Sequence, residues 1–377
     1  MSSAPTVAEG TATTPLPVDT SSVPVLSESI RLTYLAEGAA NVIYRLSAAP
    51  GETLPEEFVD KLIRLRKALP SAQPNLLAYS HLVHIFHPLF PASLLVPTTL
   101  IRVPKSIIIR ETANLLAFEN AGKRALKRRG LYLEESEEYG FLILDMSPRP
   151  LDSGSILPTT PEGEAAAAQS AHPKTRQILV EFKPKWVVQS PSAPATWRRC
   201  RTCALHLSKS SGGKPSMCPL DLASQSRDRV RHTLQYILPS SPSPPQNLQL
   251  RHGESWADAK SLIEHHAVQF LAASELMPLL KRLQSELDPF GPSYTAEHGS
   301  PDEKEKFVMA MTVRDLTIFL RIDLDGAVEA RIGDLDLKTG EAGKWNYWSA
   351  VERKLVEGGW YEGKEDGAEE KGVWCRP

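Results

Sequence analysis

Apolar and polar positions alternate in short β-type segments near the start of the chain and in helical stretches further on. Ile30-Arg31-Leu32-Thr33-Tyr34-Leu35 has the period of a half-buried strand, and Val42-Ile43-Tyr44-Arg45-Leu46 gives a second apolar segment. Between them stands Glu37-Gly38-Ala39-Ala40-Asn41, whose small residues suit a tight hairpin with exposed backbone. The run Lys61 to Lys67 (KLIRLRK) predicts a third strand with basic residues on one face. Ile107-Ile108-Ile109 and Phe141-Leu142-Ile143-Leu144 read as buried strands, with a basic helix around Asn114 to Arg129 between them and Asp145 closing the second. Ile178 to Lys183 predicts a strand with charges at its end. One long helix is expected from Trp256 to about Leu287. Val308 to Leu324 reads as two apolar strands meeting at Arg314-Asp315, and Val328 to Leu335 as one more, ending in Gly333-Asp334-Leu335-Asp336.

Composition sets the limits of this pattern. The 377 residues carry 43 basic and 45 acidic side chains, a formal charge of −2, with 41% hydrophobic residues. That is the profile of a soluble chain long enough to bury a large core. No apolar run approaches the ~18 residues of a membrane span, and residues 1–27 lack the basic start and apolar core of a secretory signal. Four scattered cysteines are too few for a disulfide framework and favour a reducing compartment, and an intracellular protein of the nucleus and/or cytoplasm, bound to no membrane, is expected. A near-neutral total argues against direct nucleic-acid binding and leaves room for one concentrated basic pocket.

Proline and small polar residues mark the boundaries. Residues 1–27, with four prolines among Ser, Thr and Ala, predict a disordered lead-in. A first lobe over 28–147 is followed by a low-complexity linker over 148–177, which includes Ser153-Gly154-Ser155 and the run Ala165 to Ala168. A second lobe covers 178–361, with Pro239 to Pro245 (PSSPSPP) as a surface loop inside it. An acidic, glycine-rich tail over 362–377 closes the chain.

Several residues carry chemistry. The Gly38-Ala39-Ala40-Asn41 turn suits either an ordinary hairpin or a backbone cradle for phosphate. In Glu181-Phe182-Lys183-Pro184-Lys185, strand alternation puts Glu181, Lys183 and Lys185 on one face, which is costly beside an apolar run unless counter-charges or a ligand meet them. Arg198, Arg199, Arg201, Lys209, Lys338 and Lys344 are further cations suited to phosphate, and equally to a solvated helix face. Asp315 and Asp334, each at a strand end, suit a base and a metal ligand of phosphoryl transfer. Cys200-x-x-Cys203 lacks a second pair at ligand spacing, with Cys218 and Cys375 far along the chain, so no structural zinc is expected. His84-x-x-His87, His265-His266 and the basic stretch Lys123 to Arg129 read as packing or solvated surface.

The ordered set GAAN (38–41), IRLRK (63–67), EFKPK (181–185), CRTCALHLSK (200–209), CPLDL (218–222), RDLTIFL (314–320) and GDLDLK (333–338) resembles inositol-pentakisphosphate 2-kinases, most closely the shorter, fungal-like members. The resemblance runs from about residue 30 to 361, and ExKPK is its most specific element. The HRD and DFG motifs of protein kinases are absent.

The resemblance implies an α+β, two-lobed inositol-phosphate kinase fold, distantly protein-kinase-like, with ATP between the lobes and Mg²⁺ as the only metal. It implies that Gly38, Ala39, Ala40 and Asn41 cover the ATP phosphates, that Arg64 reaches them, that Asp145 lies at the adenine-holding hinge, and that Glu181 lies in the nucleotide site. Lys183 would contact the transferring phosphate. Lys185, Arg201, Lys209, Asn247 and Lys338 would bind the inositol phosphate. Asp315 would be the catalytic base and, with Asp334, a metal ligand. The sequence departs from the family at Leu205, where plant members carry histidine, and in lacking their zinc site of two His and two Cys. After Lys338, Ala342 and Asn346 stand where the family has Arg and Tyr, with Lys344 and Tyr347 as possible substitutes. The implied activity is ATP-dependent phosphorylation of the 2-hydroxyl of inositol 1,3,4,5,6-pentakisphosphate to the hexakisphosphate, by a monomer. A non-catalytic inositol-polyphosphate-binding protein of the same fold, or another small-molecule kinase, is the competing expectation.

Overall fold

A computed structural model describes residues 17–151, 174–209, 216–363 and 375. The chain divides into two units, with the boundary between Asp145 and Met146. The expected linker core, including Ser153 to Ser155 and Ala165 to Ala168, lies outside the described residues, as does most of the expected acidic tail.

The unit ending at Asp145 is built on a five-stranded antiparallel sheet. Its strands are β1 (Arg31–Glu37), β2 (Asn41–Ser47), β3 (Lys61–Arg66), β4 (Thr98–Arg102) and β5 (Tyr139–Leu144), in the order β1-β2-β3-β5-β4. Alternation along β2 sends Val42, Tyr44 and Leu46 into the core while Arg45 faces out. A short helix α1 (Asn75–His81) precedes β4, and α2 (Lys105–Asn120) follows it and covers the core with Ile107, Ile108 and Leu115.

Two expectations fail in this unit. Ile107-Ile108-Ile109 is the start of α2, not a strand: Pro104 stands at its N-cap, and Ile109 points away from the core. The helix expected over 114–129 begins earlier and stops at Asn120. The lead-in also ends sooner than expected. Leu26 is buried in the core, and the backbones of Pro24 and Leu26 pair with Arg102 along the edge of β4.

The second unit holds a three-stranded antiparallel sheet, β6 (Gln177–Phe182), β7 (Thr317–Asp323) and β8 (Val328–Gly333), with β7 in the middle. Its helices, among the described residues, are α3 (Arg201–Leu207), α4 (Pro219–Leu222), α5 (Arg227–Leu234), α6 (Trp256–Ala273), α7 (Leu276–Leu287), α8 (Pro292–His298), α9 (Pro301–Asp315) and α10 (Lys344–Glu357). Helix α6 lies on β7 and β8, and α9 packs on α7. The helix expected from Trp256 to Leu287 is two helices that break at Ser274-Glu275. Val308 to Asp315 is the second half of α9 and not a strand. Its start carries a capping box in which Ser300 and Glu303 satisfy each other's backbone N–H groups, with Pro301 at the first helical position. The mixed composition and the two antiparallel sheets agree with an α+β fold.

Candidate active site

The register of the three-stranded sheet assembles a charged site at one end. Glu181 pairs with Phe319 and Phe182 with Ile318 across β6 and β7, and Thr317 pairs with Gly333 across β7 and β8. The exit of β6, the entry of β7 and the exit of β8 therefore lie side by side. Lys183 and Lys185 follow the first, Asp315 precedes the second, and Asp334 follows the third.

The side chains of these segments meet. Lys183 Nζ donates to the backbone O of Asp315 and, at 2.8 Å, to Asp334 Oδ2, and lies 3.7 Å from Asp315 Oδ1. Lys185 Nζ donates to Asp315 Oδ1 at 2.9 Å, and Lys338 Nζ donates to Asp315 Oδ2 at 2.8 Å. The Thr317 hydroxyl lies 3.4 Å from Asp334 Oδ2. Three ammonium groups thus face two carboxylates, a formal excess of one positive charge. Lys185 and Lys338 each spend only one of three N–H donors on Asp315.

Backbone geometry aims these groups. The strand ends at Phe182, so the expected alternation of Glu181, Lys183 and Lys185 on one strand face is not what brings the lysines to the site. Lys185 has φ 59° and Asp334 φ 62°, both in the left-handed region that non-glycine residues rarely adopt. Both residues make cluster contacts, so the surrounding structure holds this strain at a point of dense charge. The backbone N–H of Lys338 donates to the buried Thr312 hydroxyl at 2.9 Å, which ties the loop after β8 to α9.

Asp315 is shaped by two opposing effects. Partial burial raises its carboxyl, but hydrogen bonding and charge from Lys338, then Lys185, pull it down to about 2. Its side chain remains 36% exposed and that of Asp334 46%, so both reach solvent. The neighbouring Arg314 does not. Its guanidinium is fully buried, 2.8 Å from Asp288 and 3.4 Å from the centre of the Trp186 ring. Burial depresses it to about 10, with Asp288 opposing. Reading the sequence missed Arg314, Trp186 and Asp288. The one available signal was the adjacency of Arg314 to Asp315 and of Trp186 to Lys185; Asp288, at the end of α7, had none.

The other expected site residues lie apart from this cluster. Arg201 is buried, with Nε 2.6 Å from Glu352 and its guanidinium 4.2 Å from the centre of the Trp186 ring. Glu352 also accepts from Ser190 and Tyr361. Lys209 is exposed just beyond α3, and Asn247 pairs through its backbone O with Thr175 N at 2.9 Å. Glu181 is exposed on β6. The cysteines that spacing kept apart converge. Cys200, Cys203, Cys218 and Cys375 are all buried in one cluster, which corrects the expectation that the last two are remote.

In the first unit, the Gly38 to Asn41 turn joins β1 to β2. It is fastened from below: Lys67 N donates to Ala40 O at 2.8 Å, and Lys67 Nζ donates to Gly38 O at 2.9 Å and to Glu37. Arg124 grips both oxygens of Glu37 at 2.9 Å, and Lys67 and Arg124 are fully buried. This ion triad was not read from the sequence. Gly38 and Ala39 are exposed. Arg64 lies on β3 with its guanidinium 4.6 Å from the Phe141 ring centre. Asp145 follows β5, its N–H donating to Asp60 O and its carboxylate 3.5 Å from Arg45.

Lysines gathered on carboxylates at a sheet end make a charged site chemically suited to a polyanion. Residues 34–354 match the family description of inositol-pentakisphosphate 2-kinase. The inositol-pentakisphosphate 2-kinase of Yarrowia lipolytica (strain CLIB 122 / E 150) is 30% identical over 232 residues, covering 61% of this chain and 68% of that one. The chain belongs to the inositol-pentakisphosphate 2-kinase family.

Proposed function

We propose that this chain transfers the γ-phosphoryl group of ATP to the 2-hydroxyl of inositol 1,3,4,5,6-pentakisphosphate, giving the hexakisphosphate. Family membership supports the kinase reaction and the inositol-phosphate substrate. The observation that carries the residue-level reading is the convergence of Lys183, Lys185 and Lys338 on Asp315 and Asp334. The two-lobed kinase architecture is part of the same proposal.

Asp315 takes the proton of the attacking hydroxyl. Held at about 2 by its lysines, it is a weak base before substrate arrives. A polyphosphate competes for Lys185 and Lys338, and each lysine that turns to a phosphate frees a carboxylate oxygen while adding negative charge nearby. Both effects raise the carboxyl toward the range of a useful base. Substrate binding therefore arms the base. Lys183 offsets charge on the transferred phosphoryl group, and Lys185 and Lys338 hold the acceptor. In the first unit, the fastened turn Gly38 to Asn41 offers exposed backbone to the ATP phosphates, with Arg64 beside them.

The donor set fits Mg²⁺. Asp334 offers hard, exposed carboxylate oxygens, and the Lys183 ammonium already bridges it to Asp315, a position that stabilises a cation. Asp334, with Asp315, would hold the ion, which would neutralise charge on the nucleotide phosphates.

The test is incubation with ATP, Mg²⁺ and a panel of inositol phosphates, with products resolved by anion exchange. Hexakisphosphate from the 1,3,4,5,6-pentakisphosphate is the expected outcome. Tight binding without turnover would make this a binding protein, and faster turnover of a different acceptor would make it another small-molecule kinase.

A further inference from the structure

Helix α7 carries a polar residue on a face that is otherwise core. Met277, Leu280, Leu283 and Leu287 are buried at helical spacing, and Gln284 among them is fully buried too. An amide carried into apolar surroundings is costly unless both of its ends are satisfied. Here both are. Gln284 Nε2 donates to Lys185 O at 2.8 Å, and Val187 N donates to Gln284 Oε1 at 3.1 Å. One partner is a carbonyl and the other an N–H, so a single orientation of the amide fits them. The side chain thus does for residues 185–187, beyond the end of β6, what a neighbouring strand would do. We propose that Gln284 is a positioning residue for substrate binding, holding the Lys185 backbone so that its ammonium stands beside Asp315 where a substrate phosphate meets it. This rests on the reading of Lys185 as a cation that holds the acceptor.

Lys185 needs such a hold. Its φ of 59° is unfavourable for a residue with a Cβ and persists only where the surroundings impose it. The carbonyl that Gln284 grips belongs to this same residue, so fixing its direction fixes ψ of Lys185 and the root from which the side chain departs. On the other side of the carbonyl, Trp186 is buried between two guanidiniums, Arg201 at 4.2 Å and Arg314 at 3.4 Å from its ring centre. A lysine stem is flexible, and a fixed root is what narrows its reach. Gln284, being fully buried, acts through Lys185 and not on the substrate.

The same helix also reaches the other half of the contact. Asp288, at the end of α7 and one turn beyond Gln284, lies 2.8 Å from Arg314, the neighbour of Asp315. One helical turn, about 5.4 Å long, therefore sets the spacing between the segment of Lys185 and that of Asp315. In front of this frame Lys185 Nζ and Asp315 Oδ1 meet at 2.9 Å.

A double-mutant cycle on affinity for inositol 1,3,4,5,6-pentakisphosphate, read by calorimetric titration of the full chain, tests the inference. Gln284→Met removes both hydrogen bonds at nearly the same volume. In the wild-type background it should raise the dissociation constant about tenfold, the size of a lost contact to a charged group. In the Lys185→Ala background it should change that constant by less than about twofold, because the group it positions is gone. A lower melting temperature is expected whether Gln284 positions Lys185 or only supports the fold, so affinity decides. Unchanged affinity in folded Gln284→Met, or the same loss in both backgrounds, would overturn the positioning role. Should Gln284→Met fail to fold, Gln284→Asn, whose amide is one methylene too short to span both backbone groups, enters the same cycle with the same expectations. If Lys185→Ala alone binds pentakisphosphate as wild type does, the reading of Lys185 fails and takes this inference with it. Weakened binding by Lys185→Ala without coupling to Gln284 removes the positioning role alone.

Discussion

Arg314 and Asp315, neighbours in the last turn of α9, serve opposite sides of it: Arg314 is buried between Asp288 and Trp186, while Asp315 meets Lys185 and Lys338. Trp186 in turn directly follows Lys185. The charged site and the buried layer behind it are therefore built from the same two short segments, 185–186 and 314–315. A shift in one moves the other.

Removing Arg314 should expose this coupling. Arg314→Met leaves Asp288 buried without its partner, which costs about 3–5 kcal/mol. Urea unfolding should show that loss, and the double variant with Asp288→Asn should recover part of it. Under conditions where Arg314→Met is folded, kcat should fall more than affinity for pentakisphosphate. Equal loss of both would mean that Arg314 supports the fold alone.

Asp315 and Lys185 should separate turnover from binding. Asp315→Asn should lower kcat about a hundred- to ten-thousandfold, the range for a lost general base. It should bind pentakisphosphate at least as well as wild type, since a carboxylate facing a polyanion repels it. Lys185→Ala should raise the dissociation constant, with a difference that shrinks as salt rises. Calorimetric titration beside steady-state kinetics checks both. Full turnover by Asp315→Asn would place the base elsewhere.

The Asp315 carboxyl should also report substrate. In the free protein it titrates near 2, below the usual carboxylate value of about 3.9. Because the folded value is depressed, its contribution to stability is present in full above about pH 4 and is lost as pH falls through about 2. Asp315→Asn should flatten that acid limb of the melting-temperature profile. Added pentakisphosphate should raise the Asp315 titration midpoint, read from its carboxyl carbon by NMR. A midpoint that stays put would rule out arming of the base by displaced lysines.

Leu26 marks where the folded part begins. Buried against the first unit's core, it should cost about 2–5 kcal/mol on Leu26→Ala, measured by chemical unfolding. Proline and serine around it concealed this, because composition averages over a window while one buried side chain and two backbone pairings decide the outcome. The same limit explains other differences. Three consecutive isoleucines imitate a strand, but in α2 only two of them face inward. The apolar stretch from Val308 imitates one too, although Ser300 and Glu303 upstream spell a helix start. The lysines and carboxylates of the site were legible because they sit in short motifs at strand ends. The ion triad beneath Gly38, the Arg314 layer and the cysteine cluster were not, since each joins segments far apart in the chain.

Gly38 offers the clearest separation between a phosphate-binding turn and an ordinary hairpin. Its φ is not in the left-handed region, and a Cβ added there would meet nothing closer than the Asn41 backbone O at 4.0 Å. The surrounding protein therefore gives no reason for a glycine. Gly38→Ala should leave the melting temperature unchanged or slightly raised, since alanine restricts the unfolded chain by about 0.4–1 kcal/mol. If ATP phosphates approach this backbone, the added methyl stands in their way, and KM for ATP should rise while the dissociation constant for pentakisphosphate stays the same. Lys67→Met makes the matched comparison: it removes the fastening below the turn, and should raise KM for ATP together with a loss of stability of about 3 kcal/mol from the broken buried pair. Unchanged ATP kinetics in a stable Gly38→Ala would show that the turn only joins two strands.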